Sequence, residues 1–242
     1  GGLVAGLLFF IGLHMRRAGT RGALPVSVRW GALLAPLLLG LGMFLLFLDL
    51  DLKLHVWRFY TAFRWTSPMS WGSWILLLVF PLMLVQVLLI GPEYIRLLIL
   101  RAGPAAWAAS MAEKGWNVLA GLSILCGAAL GIYTGILLGA SVARPLWSSA
   151  ALGPLFLASG ISGAAALMAL LEKDHAARAW FTRADVWALG AEVALIGAFF
   201  VGHATSTRCH IEAIGLLLGG AYTAPFWGLV VMIGIAIPLL LE

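Results

Sequence analysis

The polar residues that could do chemistry are concentrated in residues 49–74, which lie between two long apolar runs and read DLDLKLHVWRFYTAFRWTSPMSWGSW. Asp49 follows the first run directly, at the edge of the apolar region, where a carboxylate usually faces a partner or water. Two interpretations stay open for Asp49: an ion pair with Arg58 or Arg144, or a functional carboxylate at a quinone or proton site. The tryptophans of the segment are typical of a membrane interface, because the ring is apolar and its N–H needs a polar partner.

The end of the same segment predicts the start of a helix. Thr66 or Ser67 offers a hydroxyl to the unpaired backbone N–H groups of a first turn, and Pro68 is tolerated in that turn. A helix is therefore expected to follow Pro68 directly.

Two further polar residues lie inside apolar runs. Tyr133 has a phenol that needs a hydrogen-bond partner, worth roughly 1 kcal/mol, and that partner is either another helix or a ligand. The hydroxyl of Thr134 is expected to bond back to its own helix. Glu192 interrupts an apolar run, and burying it as a charge costs roughly 3 kcal/mol on insertion scales. Proton handling and a simple interhelical hydrogen bond are both consistent with that position.

Cysteine and histidine positions bear on which redox centres this chain could hold. The two cysteines, Cys126 and Cys209, cannot supply the four thiolates of an iron–sulfur cluster or of a tetrahedral zinc site. Haem b in a membrane needs imidazoles that face one another from inside the spans. The histidines instead lie near span ends or in loops, at His14, His55, His175, His203 and His210. We therefore expect no haem here, and any iron–sulfur cluster to belong to a partner subunit.

These residues are set in a chain of membrane character. Of 242 residues, 62% are hydrophobic and 10% are charged, and the mean hydropathy is +1.03. A soluble domain carries about 25% charged residues, and a helix of about 20 apolar residues crosses a bilayer. Residues 1–13 predict the end of a spanning helix that begins before residue 1. Further spans are predicted at 28–49, 70–91, 116–142, 148–171 and 184–203 and, after a short helix at 211–218, at 225–241.

The predicted fold is therefore all-α, a multi-pass transmembrane helix bundle of about seven spans that forms a single membrane domain over residues 1–242. The predicted span 116–142 carries glycines at spacings of four, which favour close helix packing. They are Gly121, Gly127, Gly131, Gly135 and Gly139.

Basic residues in the loops predict the orientation of the bundle. Ten of the fifteen lysines and arginines fall in loops on one predicted side: Arg16, Arg17, Arg21, Arg29, Arg96, Arg101, Lys114, Lys173, Arg178 and Arg183. The other five fall on the opposite side: Lys53, Arg58, Arg64, Arg144 and Arg208. Because cytoplasmic loops carry an excess of basic residues, the first side is expected to be cytoplasmic and the second to face outwards.

The same polar segments resemble the NrfD-like family, the membrane subunits of polysulfide reductase and related molybdenum-enzyme complexes. The stretch TSPMSWGSW is similar to the family signature Thr-Ser-Pro-Met-Ser-Trp-Gly, and DLDLKLHVWRF resembles the Asp-Leu-Gly-(basic)-Pro segment, from which it departs at residues 51–53. The resemblance continues through YTG…LLG…ARPLW at 133–147, SGISGAAAL and the ending AYTAPFWGLVVMIGIAIPLLLE. It touches most of the chain.

The resemblance implies a helix bundle of the bacterial or archaeal plasma membrane that docks an iron–sulfur, ferredoxin-like subunit beside a molybdopterin or other catalytic subunit. It implies that Tyr133 helps to bind a quinone headgroup, menaquinone or ubiquinone, and we expect Asp49, His55 or Arg144 nearby. Arg58, Arg64 and Trp71 are the residues expected at the docking face, which would be periplasmic.

The function expected on this basis is that of a quinone-interacting membrane anchor, a non-autonomous subunit of a respiratory oxidoreductase complex. One alternative is an ion-translocating subunit in which Glu192 carries protons across the membrane. Another is a purely structural membrane anchor. For a quinone-interacting anchor, the chemistry on the substrate of the complex is expected to take place on the partner subunit.

Overall fold

The computed structural model describes residues 1–49, 57, 61, 64–100, 109–110, 113–140 and 144–241, and these residues are helical with no strands among them. The helices, in chain order, are α1 Gly2–Ala18, α2 Val26–Leu48, α3 Pro68–Ile90, α4 Glu93–Leu100, α5 Trp116–Gly139, α6 Leu152–Leu171, α7 His175–Ala204, α8 Arg208–Leu218 and α9 Thr223–Leu240. Within α9, Phe226–Ala236 is wound as a wider π-helix. Short 3₁₀ turns form at Arg21–Ala23 and Pro145–Trp147.

Six of these helices, α2, α3, α5, α6, α7 and α9, are long and apolar enough to cross a membrane. The predicted multi-pass helical fold is therefore confirmed, and the spans fall where the apolar runs predict them. The structure differs from the predicted helices in two places. Helix α7 begins at His175 rather than 184, because Asp174 caps it by accepting a hydrogen bond from the Ala177 amide at 2.9 Å. The short helix α4, just after α3, is absent from the sequence prediction.

Helix α1 lies at the centre of the bundle, packed mainly against α5 and α6. Its backbone meets theirs at glycines. A methyl group at Gly6 would overlap the carbonyl of Gly160, and one at Gly127 would lie 2.6 Å from the carbonyl oxygen of Ala5. The close packing predicted from the glycine pattern of α5 is thus confirmed for Gly127, Gly131 and Gly135, whereas Gly121 faces open space.

Two side-chain hydrogen bonds join α5 to α1. The Ser123 hydroxyl donates to the carbonyl of Leu8 at 2.7 Å, and the indole N–H of Trp116 donates to the carbonyl of Met15 at 2.8 Å. The predicted back-bond within α5 is also confirmed, since the Thr134 hydroxyl donates to its own helix at 3.1 Å. These bonds fix the rotation of α5 about its axis, and with it the direction of every side chain on that helix.

The loops divide between two ends of the bundle. At one end, which we call the basic end, Arg21 pairs with Glu93 and Arg96 lies 3.8 Å from Glu113. The opposite end, which we call the signature end, carries the start of α3 and the turn Pro145–Trp147. This division agrees with the grouping of loops that the basic residues predict. The assignment of the basic end to the cytoplasm stays a prediction.

The carboxylate of Glu172 holds the basic end together. Only 2% of the residue is exposed. One oxygen accepts from the backbone N–H and the hydroxyl of Ser27, at 3.1 and 2.7 Å, and the other accepts from the amides of Lys173 and Asp174. Burial opposes its ionisation, but these hydrogen bonds, led by the Ser27 hydroxyl, hold the pKa of Glu172 below its ordinary value. The charge also lies at the N-terminus of α2, where the helix dipole favours an anion.

The substitution Glu172→Gln is expected to destabilise the bundle by about 1–3 kcal/mol at neutral pH, because an amide NH₂ would face backbone N–H groups that need an acceptor. The pKa of Glu172 is lowered by folding, so its contribution is complete above the ordinary glutamate pKa and is lost as the pH falls through the lowered value. Thermal unfolding of the purified protein across an acidic pH series measures both effects.

A matched control is Glu212→Gln, the same change at an exposed carboxylate on α8. We expect it to leave the unfolding temperature close to that of the parent at every pH. Equal losses in the two variants, or a difference between Glu172→Gln and the parent that does not shrink in acid, would show that the buried carboxylate does not organise this end.

Candidate functional site

The signature TSPMSWG forms the start of α3. Ser67 precedes the helix in an extended conformation and Pro68 occupies its first turn, where a missing N–H costs nothing. The predicted helix start is confirmed, but the hydroxyl cap is wrong for Ser67, whose side chain makes no capping hydrogen bond. Instead the preceding segment folds back on the helix, with the Arg64 amide donating to the Ser70 hydroxyl at 3.0 Å.

Trp65 and Trp71 form one wall of a cleft at this end. The indole N–H of Trp71 donates to the carbonyl of Trp65 at 2.9 Å, and the two rings meet edge to face with centroids 5.2 Å apart. The sequence analysis expects Trp71 at the docking face. Its ring lies on the cleft wall, and Trp65, which is 73% exposed, forms the outer rim.

Tyr133 forms the opposite wall, on α5. Its phenol lies directly on the backbone of α3 at Gly72, where a methyl group would overlap the hydroxyl and the ring. Gly72 is therefore the position that admits the Tyr133 ring between the two helices. Within the described residues the hydroxyl makes no hydrogen bond, although the ring is half-buried.

The cleft between these walls has a volume of about 420 Å³. Apart from the backbone its lining is almost wholly apolar, and it comprises Trp65, Thr66, Pro68, Trp71, Ile75, Ala129, Ile132, Tyr133 and Ile136. Pockets that bind small molecules have this character, an apolar wall with a few polar groups that orient the ligand. Among the described residues, the cleft lining thus combines apolar side chains with a phenol that has no hydrogen-bond partner.

Some of the sequence-predicted site residues do not line this cleft. Asp49 caps the C-terminal end of α2 with an exposed side chain and makes no ion pair with Arg64 or Arg144. Arg64 contributes its backbone amide to the start of α3 and exposes its side chain. His55 and Arg58 lie outside the described residues.

Arg144 lies at the same end but lines a different cavity. Its guanidinium stacks on the ring of Trp147, 4.8 Å from the centroid, beside a groove of about 660 Å³ between the Pro145–Trp147 turn, α8 and α9. The cavity that holds Tyr133 and the cavity that holds Arg144 share no lining residue among those described. The structure thus separates two groups that the sequence analysis assigns to one site.

Glu192 lies on the face of α7 that packs against α6, and 7% of the residue is exposed. Ser159 of α6 is a near neighbour of the Glu192 carboxyl. A second carboxyl lies one heptad away on the same face. Asp185 is 2% exposed and accepts a hydrogen bond from the Ser162 hydroxyl at 2.6 Å. The interface of α6 and α7 therefore pairs two serines with two acids.

Three residues at these positions are not predicted from the sequence. Gly72 is part of the signature, but only its contact with Tyr133 explains it. Asp185 falls at the edge of a span in the sequence prediction, which starts α7 nine residues late. Gln86 stands out in the apolar run of α3; it is fully buried, and neither side-chain polar atom has a partner in the described part of the chain.

Comparison with known proteins places this geometry in context. A sequence profile described as "Polysulphide reductase, NrfD" matches residues 1–242. The C subunit of polysulfide reductase from Wolinella succinogenes is 29% identical over 227 residues, which cover 89% of this protein and 70% of that one. Protein NrfD of Escherichia coli is 30% identical over 259 residues, covering 100% and 80%. The NrfD homolog of Haemophilus influenzae is 28% identical over 224 residues, covering 88% and 70%.

The substitution Gly72→Ala is expected to displace the Tyr133 ring and to destabilise the bundle by about 1–3 kcal/mol, because a methyl group has no room against the phenol. In the double variant Gly72→Ala/Tyr133→Ala the collision is absent, so the combined loss should be smaller than the sum of the single losses. Thermal unfolding of the four proteins measures the coupling.

The control is Gly121→Ala on α5, where nothing lies within 4 Å of the added methyl. It should be neutral or slightly stabilising, as alanine is the better helix former. Additive losses at positions 72 and 133 would contradict the contact between the signature glycine and the tyrosine.

Proposed function

The chain belongs to the NrfD (polysulphide reductase) family of membrane subunits, and from this premise we propose that it exchanges electrons between an iron–sulfur partner subunit and the membrane quinone pool. The single observation that carries the proposal is the Tyr133 cleft. It combines an apolar interior with a phenol that has no hydrogen-bond partner among the described residues. A quinone headgroup has the complementary character, a flat ring with carbonyl oxygens as acceptors.

The size and position of the cleft suit this ligand. Its volume of about 420 Å³ falls in the range of small-molecule sites, about 300–1,000 Å³. A second hollow of about 440 Å³ shares Trp71 and Ile75 with it and continues past Trp74 to Leu78. That hollow follows the outer surface of α3, with Leu78 exposed where the bilayer would be. An isoprenoid tail has an apolar path there into the hydrocarbon.

A quinone and its quinol differ by two electrons and two protons, and the electrons would pass to or from the iron–sulfur cluster of the partner subunit. This chain's own residues supply the binding and orientation. Trp71 and Ile75 would exclude water from a ring held in the cleft, and the Tyr133 hydroxyl would donate a hydrogen bond to one of its carbonyl oxygens. Gly72 lets the Tyr133 phenol lie against the backbone of α3, since any side chain at position 72 would displace the ring. Asp49 and His55 are proposed to contribute to quinone binding from the same end of the bundle.

Docking of the iron–sulfur partner is proposed on the signature end, which the basic-residue count places on the outer, periplasmic side. The exposed surface there carries the cation of Arg64 and the rim of Trp65, beside the cleft itself. Arg58 is proposed to extend this surface. A cluster docked over the rim would lie near the Tyr133 cleft, which is the requirement for electron transfer between them.

The substitution Tyr133→Phe is expected to lower kcat/KM for quinone-linked turnover of the assembled complex by about tenfold or more, because the donor to the carbonyl is lost while the ring is kept. Binding of a quinone analogue to the complex should weaken in parallel. Stability should be unchanged, since the hydroxyl has no partner in the described residues.

Tyr94→Phe is the matched control, an identical change at an exposed tyrosine on α4, at the basic end. It should turn over quinone at the parent rate. If Tyr133→Phe also kept the parent rate and the parent affinity for the analogue, Tyr133 would have no part in quinone binding, and a purely structural anchor would become the better description.

Proton translocation is a second candidate function, and the paired acids of α7 favour it. Asp185 and Glu192 are seven residues apart, about 10 Å along the helix, and each has a serine hydroxyl on α6 beside it. Carboxyls inside a membrane are costly and commonly mark proton pathways. A structural role, in which each acid simply holds α6 to α7, uses the same contacts.

The substitution Glu192→Gln keeps a hydrogen-bonding partner for Ser159 and removes the exchangeable carboxyl proton. If Glu192 carries protons, complexes reconstituted in liposomes should transfer electrons at the parent rate and lose proton uptake or release across the membrane. If it is structural, both measurements should remain at the parent level. The variant Ser159→Ala provides the control for loss of the interhelical bond alone.

A further inference from the structure

The groove beside Arg144 is a second cavity at the signature end, and the proposed quinone chemistry does not use it. It has a volume of about 660 Å³ and lies between the Pro145–Trp147 turn on one side and α8 and α9 on the other. Among the described residues, Arg144 is the only charged one in its lining. The remainder is apolar or aromatic, apart from the phenol of Tyr222.

The charge of Arg144 is not neutralised by the described residues. No carboxylate among them lies within ion-pair distance of its guanidinium. The side chain is nevertheless held in place, because it stacks on Trp147. A guanidinium presents several N–H donors in one plane, an arrangement that matches the oxygens of a phosphate. The mouth of the groove thus carries an oriented cation that no described carboxylate neutralises.

The apolar part of the groove follows the spanning helix α9. After Tyr222, Pro225 and Phe226 line it on one turn and Leu229 on the next, so the groove extends about 10 Å along the helix axis. Leu229 is 61% exposed and faces the space that lipid fills around a spanning helix. The cavity therefore leads from a cationic mouth at the membrane surface into the hydrocarbon.

Hydrogen bonds fix both walls. The Nε2 atom of the buried His203 lies 3.1 Å from the carbonyl oxygen of Pro145, which ties the turn to the end of α7. On the other wall, the indole N–H of Trp227 donates to the carbonyl of Leu217 at 3.1 Å, and the Tyr222 amide donates to the carbonyl of Leu216 at 3.1 Å. The turn is thus held to α7 and the start of α9 to α8 by side-chain contacts.

We propose that this groove binds an anionic phospholipid, with its phosphate on Arg144 and an acyl chain along Phe226 and Leu229. An anionic headgroup leaves a net negative charge for the guanidinium, whereas in a zwitterionic lipid the headgroup ammonium offsets the phosphate charge. A quinone headgroup is neutral and does not complement the cation. The lipid would fill the space between α9 and the rest of the bundle. Of the six spans, α9 is the least buried within the protein.

Native mass spectrometry of the delipidated complex, titrated with phosphatidylglycerol and with phosphatidylcholine, tests this proposal. We expect the parent to prefer phosphatidylglycerol. Arg144→Gln should weaken binding of phosphatidylglycerol by about fivefold and leave binding of phosphatidylcholine unchanged. Arg144→Lys keeps the positive charge and should retain part of the preference for phosphatidylglycerol. Retention in this variant would show that the loss in Arg144→Gln comes from the missing charge and not from misfolding.

The matched control is Arg208→Gln, which removes the same charge from an exposed position at the start of α8, outside the groove lining. It should retain the parent preference, as should Tyr133→Phe, because the quinone cleft is separate. An equal loss in Arg208→Gln, or an unchanged preference in Arg144→Gln, would overturn the proposal. So would displacement of the lipid by glycerol phosphate alone, since the acyl chain would then play no part.

Discussion

The close approach of α1 to α5 and α6 is the constraint on which the rest of the bundle depends. In a bilayer, apolar side chains gain little by leaving lipid, so helices associate through van der Waals contact and a few hydrogen bonds. Here the contact requires hydrogen in place of a side chain at Gly6 and Gly127, where a methyl group would meet backbone. The Ser123 and Trp116 bonds then fix the rotation of α5. Because that rotation is fixed near the basic end, the direction of the Tyr133 ring at the other end is also fixed.

The buried and half-buried polar side chains differ in how far the described residues satisfy their hydrogen bonds. Glu172 has all its hydrogen bonds made by the loops that it joins, so its role is complete within this chain. The Asp185 carboxyl likewise has a serine partner. Tyr133 and Gln86 differ, because within the described residues their polar side-chain atoms have none. A buried polar group without a partner costs roughly 1–3 kcal/mol, a cost that a ligand or a neighbouring subunit can offset.

Most of the fold can be predicted because hydrocarbon thickness sets span length and apolar runs of that length are easy to see. The start of α7 is misplaced because arginines end an apolar run without ending a helix, and Asp174 caps it well before the hydrocarbon begins. The amphipathic α4 is missed because it is short and follows α3 almost without a break. For the site, the signature and Tyr133 can be identified by resemblance. The contact between the signature and Tyr133 at Gly72 cannot be predicted from the sequence, since it depends on the relative rotation of α3 and α5.

The same limit explains why the sequence groups Arg144 with Tyr133. Both belong to one helix and the loop that follows it at the same end, and sequence distance gives no reason to separate them. In three dimensions the last turns of α5 line the Tyr133 cleft, whereas Arg144 lines the groove beside α8 and α9. One cavity then offers a neutral phenol between tryptophans and the other offers a guanidinium above an apolar wall. Because these two polar groups differ in charge, the two proposed ligands differ as well, a neutral headgroup at Tyr133 and an anionic one at Arg144, and separate cavities would let both bind at one end of the bundle without competing.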